Sequence, residues 1–127
     1  MAVGLTASLE DYLEAIYLIS QKTSTVRVKD VAEYLKVREA SVSEAVKRLA
    51  ERGFLKHERY GELVLTEEGE KAAREIYRRH QVLQQFFKEV LGVNEKIAYR
   101  DACAIEHTIS KETLQKLVEF IERLQKS

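Results

Sequence analysis

The stretch RDACAIEHTIS, residues 100–110, places a thiol, a carboxylate and an imidazole at Cys103, Glu106 and His107, positions i, i+3 and i+4. At about 100° per residue, such positions fall within an arc of about 100° on one helix, so the three side chains face one point. A thiolate, a carboxylate and an imidazole converging there can coordinate a divalent cation of borderline softness, and unpaired they would be costly to place in apolar surroundings. His80, one of three histidines, falls on the apolar stripe of a separate helical segment, where its ring nitrogens require partners. Asp11 and Glu14, again at i and i+3, stand opposite a Leu9-Leu13-Ile16 stripe and alongside Leu18. Each residue also has an ordinary reading. Cys103 sits among Ala102, Ala104 and Ile105 as core filler would, His80 and His107 could be satisfied core histidines, and acids near a helix N-terminus are favoured by its dipole.

The elements that must position these groups are legible in the pattern. Ser8 followed by Asp11 reads as a capping-box-like start, and Leu9, Tyr12, Leu13, Ile16 and Tyr17 recur at helical spacing to about Gln21. Val28, Val31, Ala32 and Leu35 predict a short second helix. Val42, Ala45, Val46 and Leu49 predict a third, stopped by Gly53. FLKHERYGELVLT carries two short Leu/Val stretches around Tyr60-Gly61, a β-hairpin signal. From Thr66 a fourth helix runs over Glu67 to Leu91, with an apolar stripe too long and too wide for the preceding core alone. Gly92 ends it, Asn94 caps a fifth helix containing Cys103, and Ser110 caps a sixth.

A chain of 127 residues suits one compact unit or two small ones, and excludes a large multidomain enzyme. A lone cysteine excludes an internal disulfide and a four-cysteine zinc module. No apolar run approaches the roughly 20 residues of a membrane span, and MAVGLTASLEDY lacks the basic and then apolar blocks of a signal peptide. A cytoplasmic location is therefore expected.

Three helices followed by a hairpin, with the second and third helices joined by a tight turn, give the order of a winged helix-turn-helix. The third helix then enters the major groove of double-stranded DNA, and its outward Ser41, Ser43, Glu44 and Lys47 can reach bases or phosphates, with Arg38 at its entrance. Arg27 and Lys29 at the start of the second helix, and Arg59 and Tyr60 at the hairpin tip, join the expected DNA-binding set. Between Arg27 and Tyr60 nine basic residues face six acidic ones, a small surplus for a tight constitutive binder, so something else is expected to help.

SLEDYLEAIYLI, VKDVAEYLKVREASVSEAVKRLAERGFL, GELVLTEEGEKAA, RRHQVLQQF and DACAIEHTIS together make the chain resemble, nearly end to end, the metal-dependent repressors that include the diphtheria toxin repressor and the manganese transport regulator. The resemblance implies a mainly α protein in two parts: a winged helix-turn-helix over 1–70 and a helical dimerisation and metal-binding domain over 71–127. It also implies that Asp11, Glu14, His80, Cys103, Glu106 and His107 are metal ligands. Asp11 and Glu14 look like the manganese-responsive branch, whereas Cys103 is similar to the iron-responsive one. Gln84 and Tyr99 differ from the acid and the histidine of that branch's ancillary site. The implied effector is Fe²⁺ or Mn²⁺, with Zn²⁺ acceptable in vitro, since a thiolate favours softer ions and carboxylates favour harder ones. The expected protein is a homodimeric repressor of metal-homeostasis genes, not an enzyme, acting on operator DNA with no membrane and no small organic substrate.

Three alternatives follow from the residues themselves. A winged-helix regulator indifferent to metal would keep His80 and His107 as structural groups. A small metal-dependent hydrolase would need an open coordination position, but the chain has no H-E-x-x-H, glycine-rich phosphate loop or nucleophile elbow. A purely structural dimerisation module would leave the winged helix without a purpose.

Overall fold

The computed structural model describes residues 7–126. In chain order it contains α1 (Ala7–Ser20), α2 (Val28–Leu35), α3 (Glu39–Glu51), β1 (Leu55–His57), β2 (Leu63–Leu65), α4 (Glu67–Gln85), α5 (Glu95–Thr108) and α6 (Lys111–Lys126). The architecture is mainly α with one small hairpin, as expected. Packing divides the chain into two units between Ile76 and Tyr77, inside α4.

In the first unit α1 buries Leu9, Leu13 and Ile16 against Val31 and Ala32 of α2 and Val42, Ala45, Val46 and Leu49 of α3. These are the positions that helical spacing assigns to one face. Ser8 lies within α1, not at its cap, and the helix closes at Ser20. At the end of α2 the chain turns through Lys36 in the left-handed region (φ 57°, ψ 47°), and the amides of Lys36 and Val37 both return to the Ala32 carbonyl. This satisfies the orphan carbonyl at the helix end and lets α3 start three residues later. The hairpin pairs Leu55 with Leu65 and His57 with Leu63, and the Leu63 amide donates to the Val26 carbonyl at 2.8 Å. Leu55 and Leu63 thereby cover the helices from the hairpin side.

Thr66 serves both sides of the junction into α4. Its hydroxyl donates to the Gly53 carbonyl (2.6 Å) and accepts from the Gly69 amide (3.0 Å), capping α4 while fixing the end of α3. Gly69 is held by close approach: a Cβ there would lie 1.8 Å from the Phe54 carbonyl oxygen, a backbone atom that cannot swing aside. Gly69→Ala is therefore expected to destabilise the chain by about 1–3 kcal/mol, read as a lower urea midpoint at unchanged slope. An unchanged midpoint would show that the junction is looser than this contact implies.

In the second unit α4 is regular to Gln85 and then widens into a π-helical turn over Phe86–Val90, so the expected helix to Leu91 changes pitch near its end. Gly92 reverses the chain at φ 72°. Asn94 caps α5 by accepting from the Ile97 amide at 3.1 Å, and Ser110 caps α6 by accepting from the Thr113 amide at 3.1 Å. Leu83, Ala102, Leu114, Val118 and Ile121 form the core, with Phe86, Phe87 and Ile105 against it. The small Ala98 and Ala102, one turn apart on α5, are fully buried.

Candidate metal centre and nucleic-acid interface

His80 on α4 is the focus of the second unit's polar chemistry. Its Nδ1 lies 3.4 Å from Glu106 Oε1, and the Cys103 sulfur lies 3.7 Å from Nδ1 and 3.9 Å from Nε2. The sulfur is nearly equidistant from the two ring nitrogens, so it is aligned with neither lone pair. His80 is 5% exposed and the Glu106 side chain 7%, which puts a carboxylate and an imidazole together out of water. Burial pulls the His80 pKa down, but the close approach of Cys103 and Glu106 outweighs it and raises it from 6.5 to about 10. A proton on His80 thus supplies the positive charge this cluster requires.

Glu106 Oε1 is buried and has no hydrogen-bond partner, and its approach to His80 is that of an ion pair only. A buried carboxylate oxygen is costly without a cation, a charge that the His80 proton supplies and that a metal ion would replace. The donor set of sulfur, nitrogen and oxygen suits a divalent transition metal. Among the described residues no group of three or more His, Cys, Asp or Glu is already arranged to hold an ion. His107 is exposed, at the other edge of the α5 arc from Glu106. Asp11 and Glu14 are partly buried on α1 in the first unit.

The first unit presents the other surface. Ser41, Ser43, Glu44 and Lys47 are all exposed on α3, while Val42, Ala45, Val46 and Leu49 are buried beneath them. Arg38 occupies the N-cap position of α3, and Arg27 and Lys29 are exposed at the start of α2. Glu44 pairs with Arg48 at 3.4 Å, an exposed i, i+4 pair whose spacing is readable in the sequence. At the hairpin tip Tyr60 is 89% exposed with φ 63°, and the Arg27 Nε–H donates to its carbonyl at 3.2 Å. Arg27 thus holds the tip to the start of α2, a tie that sequence spacing does not reveal.

Two family models divide the chain between them. "Iron dependent repressor, N-terminal DNA binding domain" matches residues 4–63, and "Iron dependent repressor, metal binding and dimerisation domain" matches residues 66–127. The chain belongs to the iron-dependent repressor family. Like its relatives, it is a metal-dependent transcriptional repressor and not an enzyme. It is 37% identical over 122 residues to the HTH-type transcriptional regulator MntR of Shouchella clausii (strain KSM-K16), covering 96% of this repressor and 85% of that protein. It is also 37% identical over 120 residues to MntR of Geobacillus thermodenitrificans (strain NG80-2), covering 94% and 84%. Among solved structures, the metal-dependent transcriptional regulator MtsR superposes with a TM-score of 0.79 at 28% identity, over 90% of this repressor and 53% of that chain. A manganese-dependent transcriptional repressor in complex with manganese gives 0.76 at 29%, over 90% and 52%. The repressor therefore spans about half the length of these solved chains. No helix among its described residues is long and apolar enough to cross a membrane.

Proposed function

We propose that this repressor, acting in the cytoplasm as a homodimer, engages operator DNA of metal-homeostasis genes when Fe²⁺ or Mn²⁺ is bound, with no membrane and no small organic substrate involved. Residues 1–70 read the DNA; residues 71–127 dimerise and hold most of the ligands. The observation that carries this reading is the buried Glu106 Oε1, without a hydrogen bond and 3.4 Å from His80, in a chain whose other unit is a winged helix. His80, Cys103 and Glu106 form the centre of the ligand set. His107 joins them from the same helix, and Asp11 and Glu14 complete the set by the pattern of the sequence. Both manganese-responsive and iron-responsive chemistry are represented, since the thiolate favours the softer ion and the carboxylates the harder.

The bound ion supplies positive charge where the chain gathers negative charge. In its absence the acids assigned to the set, Asp11, Glu14 and Glu106, would carry uncompensated negative charge. With the acids tied, a dimer is biased toward one spacing of its two α3 helices, matching half-sites about one helical turn apart or a multiple of it. The apolar Val90, Leu91, Ile97, Phe120 and Leu124, all exposed in the second unit, offer surface for the second copy. On α3, Ser41 and Ser43 suit phosphates beside the helix N-terminus, Glu44 suits a base-edge amino group, and Lys47 supplies charge, with Arg27, Lys29, Arg38, Arg59 and Tyr60 flanking.

The test is anaerobic binding of the full chain to duplexes from upstream of its own gene and of neighbouring metal-transport genes, under chelator or with Mn²⁺, Fe²⁺ or Zn²⁺. Binding is expected only with metal, and the ion active at the lowest free concentration is the effector; equal binding under chelator would overturn the reading. Lys47→Ala should weaken metal-loaded DNA binding about tenfold and lower the salt slope by about one, with metal affinity in the absence of DNA unchanged.

A further inference from the structure

The Tyr99 ring meets the His80 imidazole edge to face, with centroids 4.9 Å apart and planes at 65°. Tyr99 is half exposed while His80 is buried, so the phenol stands on the solvent side of the imidazole. On α5, residues 99, 103 and 106 are spaced i, i+4 and i+7, which aligns Tyr99 with Glu106 to within about 20° around the helix and with Cys103 to within about 40°. Tyr99, Cys103 and Glu106 therefore approach His80 from one stripe of a single helix, the sulfur and carboxylate toward its nitrogens and the aromatic ring against its edge or face.

An imidazole has one rotatable bond that decides where its nitrogens point once its χ1 is set; the Cys103 sulfur, nearly equidistant from both nitrogens, does not decide it, and Glu106 Oε1, 3.4 Å from Nδ1, holds one nitrogen without fixing the tilt of the ring. The aromatic contact does, because edge-to-face pairing has a preferred geometry and lapses when the ring swings. We propose that Tyr99 is a positioning residue for the metal centre: by packing on His80 it fixes the plane of the imidazole, and so raises metal affinity without itself ligating the ion. This rests on His80 being a ligand.

The experiment uses the full chain with Co²⁺ alone as probe, following dissociation constants and the visible and thiolate charge-transfer absorption for wild type, Tyr99→Phe, Tyr99→Leu and His80→Ala, with thermal midpoints of the metal-free proteins in parallel. Tyr99→Phe keeps the ring and is expected to bind within twofold of wild type with the same spectrum. Tyr99→Leu should bind about five- to tenfold more weakly, with an altered spectrum. If the midpoint of Tyr99→Leu falls, rescue of the Co²⁺ spectrum by Tyr99→Phe still separates positioning from folding. Wild-type affinity in Tyr99→Leu while His80→Ala loses binding would overturn the Tyr99 role alone. Equal weakening in Tyr99→Phe would overturn it too, by assigning the effect to the hydroxyl. Wild-type affinity in His80→Ala would overturn the ligand assignment beneath it.

Discussion

Glu106→Ala is expected to lower the affinity for the activating ion by at least about a hundredfold and to abolish metal-stimulated DNA binding, while helix content and dimer persist. The magnitude follows from the site. Partners that merely orient a ligand contribute roughly 10–100-fold to metal affinity, so removal of a ligating carboxylate belongs at or beyond the upper end of that range. Glu106 contributes nothing to the apolar core of the second unit, which is built from Leu83, Ala102, Leu114, Val118 and Ile121. Its deletion also takes the charge partner from the buried His80, so the metal-free protein should lose some stability while keeping its fold. Metal titration followed by DNA binding checks both halves. His107→Ala tests the other edge of the same helix: retained stimulation there would take His107 out of the ligand set, and retained stimulation in Glu106→Ala would remove the carboxylate on which the reading rests.

Much of this arrangement was legible because it depends on short-range rules. The i, i+3, i+4 spacing put Cys103, Glu106 and His107 on one arc, and Asn94 and Ser110 announced the helix starts that their side chains do cap. The α3 inner face was readable from Val42, Ala45, Val46 and Leu49 because burial at helical spacing is a one-body property of each residue. What escaped was set by pairs distant in sequence. Nothing local marks Gly69 as essential, since the obstacle is the Phe54 carbonyl, which arrives from before the hairpin. Thr66 looks like a plain cap until its hydroxyl also reaches Gly53. The same holds at the site: the arc on α5 left open which edge faces inward, and only the position of His80 on another helix selects Cys103 and Glu106 and leaves His107 exposed. Tyr99 had the right spacing, but its partner was invisible.

His80 should by itself contribute about a tenfold rise in metal affinity per pH unit between roughly pH 6.5 and 8.5, in wild type and in Cys103→Ser alike, with about one proton released per ion. In the metal-free protein His80 titrates near 10, because Cys103 and Glu106 hold its proton against the effect of burial. Over that whole interval the imidazole is protonated before an ion arrives, and it must be neutral to coordinate. Each unit of pH therefore removes one power of ten of competing protons. A histidine with its ordinary pKa near 6.5 would stop contributing above about pH 7.5, so the upper half of the range is the diagnostic part. The sign for stability is opposite. A pKa raised on folding favours the metal-free fold below about 6.5, and that contribution is lost as pH rises through about 10, so alkaline conditions should favour metal binding while weakening the metal-free fold. Calorimetric titration with Mn²⁺ in buffers of different ionisation enthalpy measures the released proton directly. An affinity that is flat above pH 7.5 would place His80 outside the set that exchanges its proton for the ion.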